Sequence, residues 1–242
     1  MLGYVCKYTP MELFTAMDTD IKRLEPSVTD FNHADTLMHA NICSYTKAVL
    51  EDVMENDYEG VILTTCCDSI RRLYDTLKSQ FPDKFFFLLD IPRKVNDFAV
   101  TLYERQLREM ISSYEAFSGK TFDEARFVSM MQNNAALEKA KKTKENANAK
   151  ASALNIGIMG ARCNNEIRQL LTNRGVNVLF DLTCTGLERN FSVSKEAPLT
   201  SYAAALLNQI PCMRMLKAAS RQNLVDGFTD RLDGILYHTV KF

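Results

Sequence analysis

No two cysteines in this chain stand two residues apart, although its 242 residues include seven of them. Structural zinc sites usually use at least one such close pair, so the spacing weighs against zinc, and it removes the compact ferredoxin pattern. A GxxxxGK[ST] phosphate loop is also missing, so the chain is not expected to hydrolyse ATP itself, and GIMG at 157–160 is too short for a dinucleotide fingerprint. Neither charge sign is in excess. With Lys+Arg at 29 and Asp+Glu at 30, nothing electrostatic draws the chain to nucleic acid or to an anionic membrane surface. No apolar run approaches bilayer length, and residues 1–8 lack the basic start and apolar core of a secretion signal. A cytoplasmic protein is expected, in which reduced cysteines serve as ligands or as buried small side chains and not as a disulfide framework.

What is present is an alternation of short apolar runs with helical patterns. Residues 3–8 read as a strand, 11–17 as a helix, 34–55 as a helix, and 60–65 (GVILTT) as a buried parallel strand. A helix over 69–81 and a strand over 84–91 (KFFFLLDI) follow. Residues 96–118 and 121–152 are helical in pattern, the latter with a polar stretch, EKAKKTKENANAK, that reads as a solvated face. The grammar then repeats: strand 155–159, helix 165–173, strand 176–182, helix 202–208, helix around 224–232, and strand 234–240. The fold class is therefore α/β, with two Rossmann-like (flavodoxin-like) parallel-sheet domains at 1–95 and 153–242 joined by a helical segment at 96–152. The chain stops at Phe242 on an apolar strand with no helix to cover it, so the second domain is expected to be incomplete at its C-terminus.

In open α/β sheets ligands bind beyond the carboxyl ends of the strands, which makes the position of each cysteine informative. Cys66 and Cys67 end GVILTTCC, and Cys184 ends VLFDLTC. Cys6 lies in the first strand, Cys43 in the helix before GVILTT, Cys163 after GIMGAR, and Cys212 after Pro211. One thiol per loop suits a cage for a cluster better than a clip for one ion. Arginines recur a few residues beyond three of these cysteines: Arg71 and Arg72 after Cys67, Arg189 after Cys184, and Arg214 after Cys212. At a helix N-terminus such positive charge favours an anionic thiolate or cluster. His33, His39 and His238 are too scattered for a metal triad, but His238, in an expected buried strand, needs a partner and is a candidate to face the site.

The segments TTCCDSIRRLYD, DLTCTGLERNF, PCMRM and YHTVKF together resemble the cluster-binding motifs of the 2-hydroxyacyl-CoA dehydratase and benzoyl-CoA reductase superfamily, and of its double-cubane branch in particular. GYVCKYTPMELFTAM is similar to that family's first strand and helix, and HANICSYTKAVLED to the helix carrying its second cysteine. The resemblance implies a chain that holds an oxygen-sensitive iron-sulfur cluster, 8Fe-9S double cubane or 4Fe-4S. It would receive low-potential electrons from a separate dimeric ATP-hydrolysing iron-sulfur activator protein, and act as a reductase or dehydratase on a small molecule or an acyl-CoA. On the same carry-over Cys43 and Cys67, with Cys6 or Cys66, serve one cubane, and Cys184 with Cys212 the other. The resemblance also implies a dimer of like or related subunits, and a homodimer is expected here. Two departures stand out: Asp18 occupies a place where the family commonly has Gly after the first helix, and the cysteine that usually follows YHTVKF is not in the sequence. The competing readings are a truncated, non-catalytic scaffold and a small-ligand-binding protein without a full cluster.

Overall fold

A computed structural model describes residues 1–28, 30–134, 154–186 and 191–239. The described elements are β1 (Leu2–Tyr4), α1 (Met11–Ala16), β2 (Ile21–Arg23), α2 (Asn32–Leu37), α3 (Ser44–Glu55), β3 (Gly60–Thr64), α4 (Asp68–Gln80), β4 (Phe85–Leu89) and α5 (Asp97–Ser118). They continue with a helix α6 over 124–134, then β5 (Asn155–Gly160), α7 (Asn165–Asn173), β6 (Asn177–Asp181), α8 (Pro198–Asn208), α9 (Ala218–Asp226), a single 3-10 turn (Thr229–Arg231) and β7 (Gly234–His238). Two parallel sheets result, one ordered β2-β1-β3-β4 and the other β6-β5-β7, as the α/β reading requires. The chain forms two compact units: one built from Met1–Pro92 and Leu102–Asp123, the other from Arg93–Thr101 and Glu124–Thr239.

In the first unit β3 is central, and all five of its residues are buried. That is why GVILT is apolar throughout and not alternating. Gly60 is needed where β3 passes β4: a Cβ there would lie 1.9 Å from the Phe85 carbonyl oxygen. The helices cover the sheet with apolar stripes. On α4 the buried residues are Ile70, Leu73 and Leu77, and on α5 they are Tyr103, Leu107, Met110, Ile111 and Tyr114, both at helical spacing. Tyr114 locks α5 down. Its ring meets Phe14 at 5.1 Å and Phe85 at 5.0 Å, and its hydroxyl is 3.0 Å from both Thr19 Oγ1 and Glu59 Oε1. Burial foremost holds its phenol above the usual tyrosine range.

In the second unit Ile156, Ile158 and Cys163 form the buried centre, with Ile167, Leu171, Val176 and Val178 packed against it. Gly157 is bare because the Phe180 ring occupies the space where its Cβ would stand, 2.1 Å away. Tyr202 on α8 packs edge-on against Phe127 of α6 at 5.1 Å and against Phe191 at 6.1 Å.

Three expectations change. The helix expected over 34–55 is two helices, α2 and α3, separated by residues 38–43, because a buried carboxylate on α3 folds back to hold the start of α2. The helix expected around 224–232 starts earlier, at Ala218, and stops before Gly227. The strand ending in His238 is not buried: Ile235, Leu236 and Tyr237 are exposed on β7, at the sheet margin. β2 was not anticipated, since three residues with an exposed Lys22 carry no periodic signal. Of residues 121–152, 135–152 lie outside the described residues. Among the described residues no helix is long and apolar enough to cross a membrane.

Candidate metal centre at the carboxyl edges of the sheets

The topology of the first unit puts four cysteines towards the carboxyl edge of its sheet. Cys6, expected within a strand over 3–8, instead follows the shorter β1 by two residues; it is buried and accepts the Thr9 amide on its carbonyl at 2.9 Å. Cys66 and Cys67 follow β3, the strand hydrogen-bonded to β1. Because β2 and β3 are both parallel to β1, the α2–α3 crossover must return from the carboxyl edge to the amino edge. Cys43, immediately before α3, therefore lies towards the carboxyl edge, with its sulfur 3.2 Å from Thr46 Oγ1. It is the cap of the helix and not, as expected, a residue within it.

The end of β3 is fastened before the two adjacent thiols begin. Thr65 donates its amide to the Leu89 carbonyl at 3.0 Å and its hydroxyl to Asp90 Oδ1 at 2.5 Å, and it accepts the Ile91 amide at 3.3 Å. Cys67 then takes an extended backbone at the head of α4. Although Cys67 is exposed at the surface, its thiol is held above the usual range, chiefly by the hydrogen bond with Cys66, with partial desolvation and the neighbouring Cys66 charge adding to it. The amides of Ser69 and Ile70 pull in the opposite direction without forming a capping bond. Two neighbouring thiols cannot both ionise easily in the absence of a compensating cation. Arg71 and Arg72 on α4 are exposed, and Arg72 pairs along the helix with Asp75 at 3.1 Å, so it is engaged with a surface carboxylate.

In the second unit Cys184 follows β6 by three residues and is half-buried, while Cys163 and Cys212 are buried. Cys163 belongs to the core, as its place in the Ile156 cluster shows. The Cys212 carbonyl accepts from Arg221 Nη1 at 3.1 Å, and the same nitrogen reaches the Met215 carbonyl at 2.8 Å. Arg214 is half-buried in that turn, and Arg189 lies outside the described residues. His238 ends β7 and accepts the Ala161 amide on its carbonyl at 2.9 Å, while its Nδ1 is buried without a partner. Gly160, at φ 105°, is required there, since a Cβ would stand 2.0 Å from that carbonyl oxygen.

Among the described residues no three His, Cys, Asp or Glu side chains come close enough to share one metal ion. The structure thus pairs Cys66 with Cys67 and ranges Cys6 and Cys43 along the same edge, and it places Cys184 and Cys212 in the other unit. Sequence reasoning missed the residues that shape these turns: Thr65 with Asp90, Asp181 with Thr183 and Thr185, and the arginines 168 and 221. The Asp-Leu-Thr-Cys-Thr-Gly run was a readable signal for a side-chain-bonded turn.

Comparison with curated proteins finds no match. Residues 6–143 match the family model described as 2-hydroxyglutaryl-CoA dehydratase, D-component, a span that includes Cys6, Cys43, Cys66 and Cys67 and stops short of Cys184 and Cys212. That span is more than half of the chain, which therefore belongs to the 2-hydroxyglutaryl-CoA dehydratase D-component family.

Proposed function

We propose that this chain is an iron-sulfur component of a 2-hydroxyacyl-CoA dehydratase-type reductase or dehydratase, of the double-cubane branch. The observation that carries the reading is the Cys66–Cys67 thiol pair at the tip of β3, with Cys6 and Cys43 on the same edge of the sheet. The donor set fits the group: thiols are the ligands iron-sulfur clusters take, and a polynuclear cluster needs only one thiolate per iron, whereas a lone tetrahedral ion needs several at once. Cys43 and Cys67, with Cys6 or Cys66, would hold one cubane, and Cys184 with Cys212 the other. When bound, the cluster supplies low-potential electrons to a small molecule or an acyl-CoA.

The chain's own residues would hold that group. Thr65 and Asp90 fix the base of the Cys66–Cys67 turn, and the first-turn amides of α4 face the sulfur of Cys67. Arg71 and Arg214 would add positive charge near the thiolates, which favours an anionic cluster. His238, with its Nδ1 buried and unpartnered, completes the proposed surroundings, and Arg189, outside the described residues, is proposed on its sequence position alone. With no phosphate loop in the sequence, the electrons would come from a separate dimeric ATP-hydrolysing iron-sulfur protein, and a homodimer is the proposed assembly.

The test is iron and acid-labile sulfide per chain, with a visible spectrum, on protein purified without oxygen. Near eight irons supports the double cubane and about four a single cubane in the first unit, by the composition of the clusters. The Cys67→Ser variant is expected to lose iron. Iron-free wild-type protein that also fails anaerobic reconstitution would overturn the reading in favour of a scaffold that keeps the fold alone.

A further inference from the structure

The turn after β6 is tied down more densely than the end of a strand requires. Asp181 Oδ1 accepts from the Thr183 amide at 2.8 Å and the Thr183 hydroxyl at 2.6 Å. The Thr183 and Thr185 hydroxyls are 2.9 Å apart. Thr185 Oγ1 accepts the Cys163 amide at 2.8 Å and donates to the Cys163 carbonyl at 2.7 Å. Between the two threonines the Cys184 amide donates to the Ala161 carbonyl at 2.9 Å. Gly186 closes the turn where a Cβ would lie 2.3 Å from the Asp181 carbonyl oxygen.

One side chain from a different element spans this turn. Arg168 on α7 donates from Nη2 to Thr185 Oγ1 at 3.2 Å and to the Cys163 carbonyl at 3.4 Å, and from Nε to that carbonyl at 3.4 Å, while Asp181 Oδ2 stands 2.5 Å from Nη2 as an ion pair without hydrogen-bond geometry. The Asp181 side chain is only 10% exposed and that of Arg168 29%, so the pair is not an ordinary surface ion pair. A planar guanidinium can serve the carboxylate, the hydroxyl and the carbonyl together, which a lysine ammonium cannot do with the same geometry.

We propose that Arg168 is a positioning residue for Cys184: it ties the residues on either side of the thiol-bearing stretch to the loop after β5 at Cys163, so that the thiol is presented in one conformation. The inference rests on the reading of Cys184 as a cluster ligand and adds the residue that aims it. Two measurements on the full chain separate the two claims. In the iron-free protein, hydrogen exchange at the amides of residues 182–186 should quicken by about tenfold or more in Arg168→Met, the scale set by losing a charge-assisted hydrogen bond, and by less in Arg168→Lys. Exchange in β3 and α8 should not change. After anaerobic reconstitution, Arg168→Met should shift the visible and electron paramagnetic resonance signatures towards those of Cys184→Ser, with Arg168→Lys restoring most of the wild-type signal. Unchanged exchange at 182–186, exchange that rises equally in β3 and α8, or wild-type cluster spectra in Arg168→Met each overturn the proposal. If wild type and Cys184→Ser hold the same iron, the ligand reading fails, and the exchange result alone then decides whether Arg168 orders the turn.

Discussion

Glu51 should be among the costliest surface-remote polar residues to remove from the first unit. Its side chain is 1% exposed, and its two oxygens take the Ala34 amide at 2.7 Å and His33 Nδ1 at 2.7 Å, so α3 holds the first turn of α2. Ala34 is fully buried. In Glu51→Ala that amide is left without its carboxylate, at a cost of about 1.5–3 kcal/mol for a hydrogen bond to a charged group. The His33 contact adds little, about 0.5 kcal/mol or less, because the imidazole is 47% exposed and solvent screens it. Lys47, 2.6 Å from Asp35, remains as a weaker second clip. The expected loss is about 2 kcal/mol, and about 1 kcal/mol in Glu51→Gln, which keeps an acceptor for the amide. Urea unfolding followed by far-ultraviolet circular dichroism gives the stability, and hydrogen exchange at Ala34 gives the local effect. A loss below about 0.5 kcal/mol with unchanged exchange at Ala34 would refute the clamp, since a desolvated amide cannot lose its acceptor at no cost.

Asp18 adopts φ 51° at the end of α1, and Asp18→Gly should raise stability by about 0.5–1 kcal/mol, measured as an increased urea midpoint. Gly60→Ala should cost several kcal/mol or prevent soluble expression, because its Cβ has no space beside the Phe85 carbonyl. Stability should fall as pH rises above about 10. Tyr58 and Tyr114 are both held above the ordinary tyrosine value of 10.0, chiefly by burial. The unfolded chain releases those protons first, so each tyrosine removes about 1.4 kcal/mol per pH unit until its folded form ionises. Urea midpoints between pH 9 and 11 test this, and Tyr58→Phe should make the slope shallower.

Continuous apolar runs made β3, β4 and β5 legible, because a strand covered on both faces leaves no ambiguity of pattern, and α7 was read with its observed bounds. The break between α2 and α3 was hidden because its cause is long-range: Glu51, 17 residues from Ala34, reaches back across the loop. β7 misled for the opposite reason, since an apolar sequence at a sheet margin looks like one at the centre. At the site, strand tips located the cysteines, but the partners that shape each turn come from other elements. No spacing rule connects Arg168 to Asp181, or Thr65 to Asp90.

The division of the chain also sets an order in time. The first unit takes in residues up to Pro92 and then Leu102–Asp123, so its core is not closed until α5 brings Tyr103 and Tyr114 to it. On a ribosome adding about 5–20 residues per second, Cys6, Cys43, Cys66 and Cys67 all precede that helix. The four thiols are therefore made some seconds before the helix that closes the core of their unit.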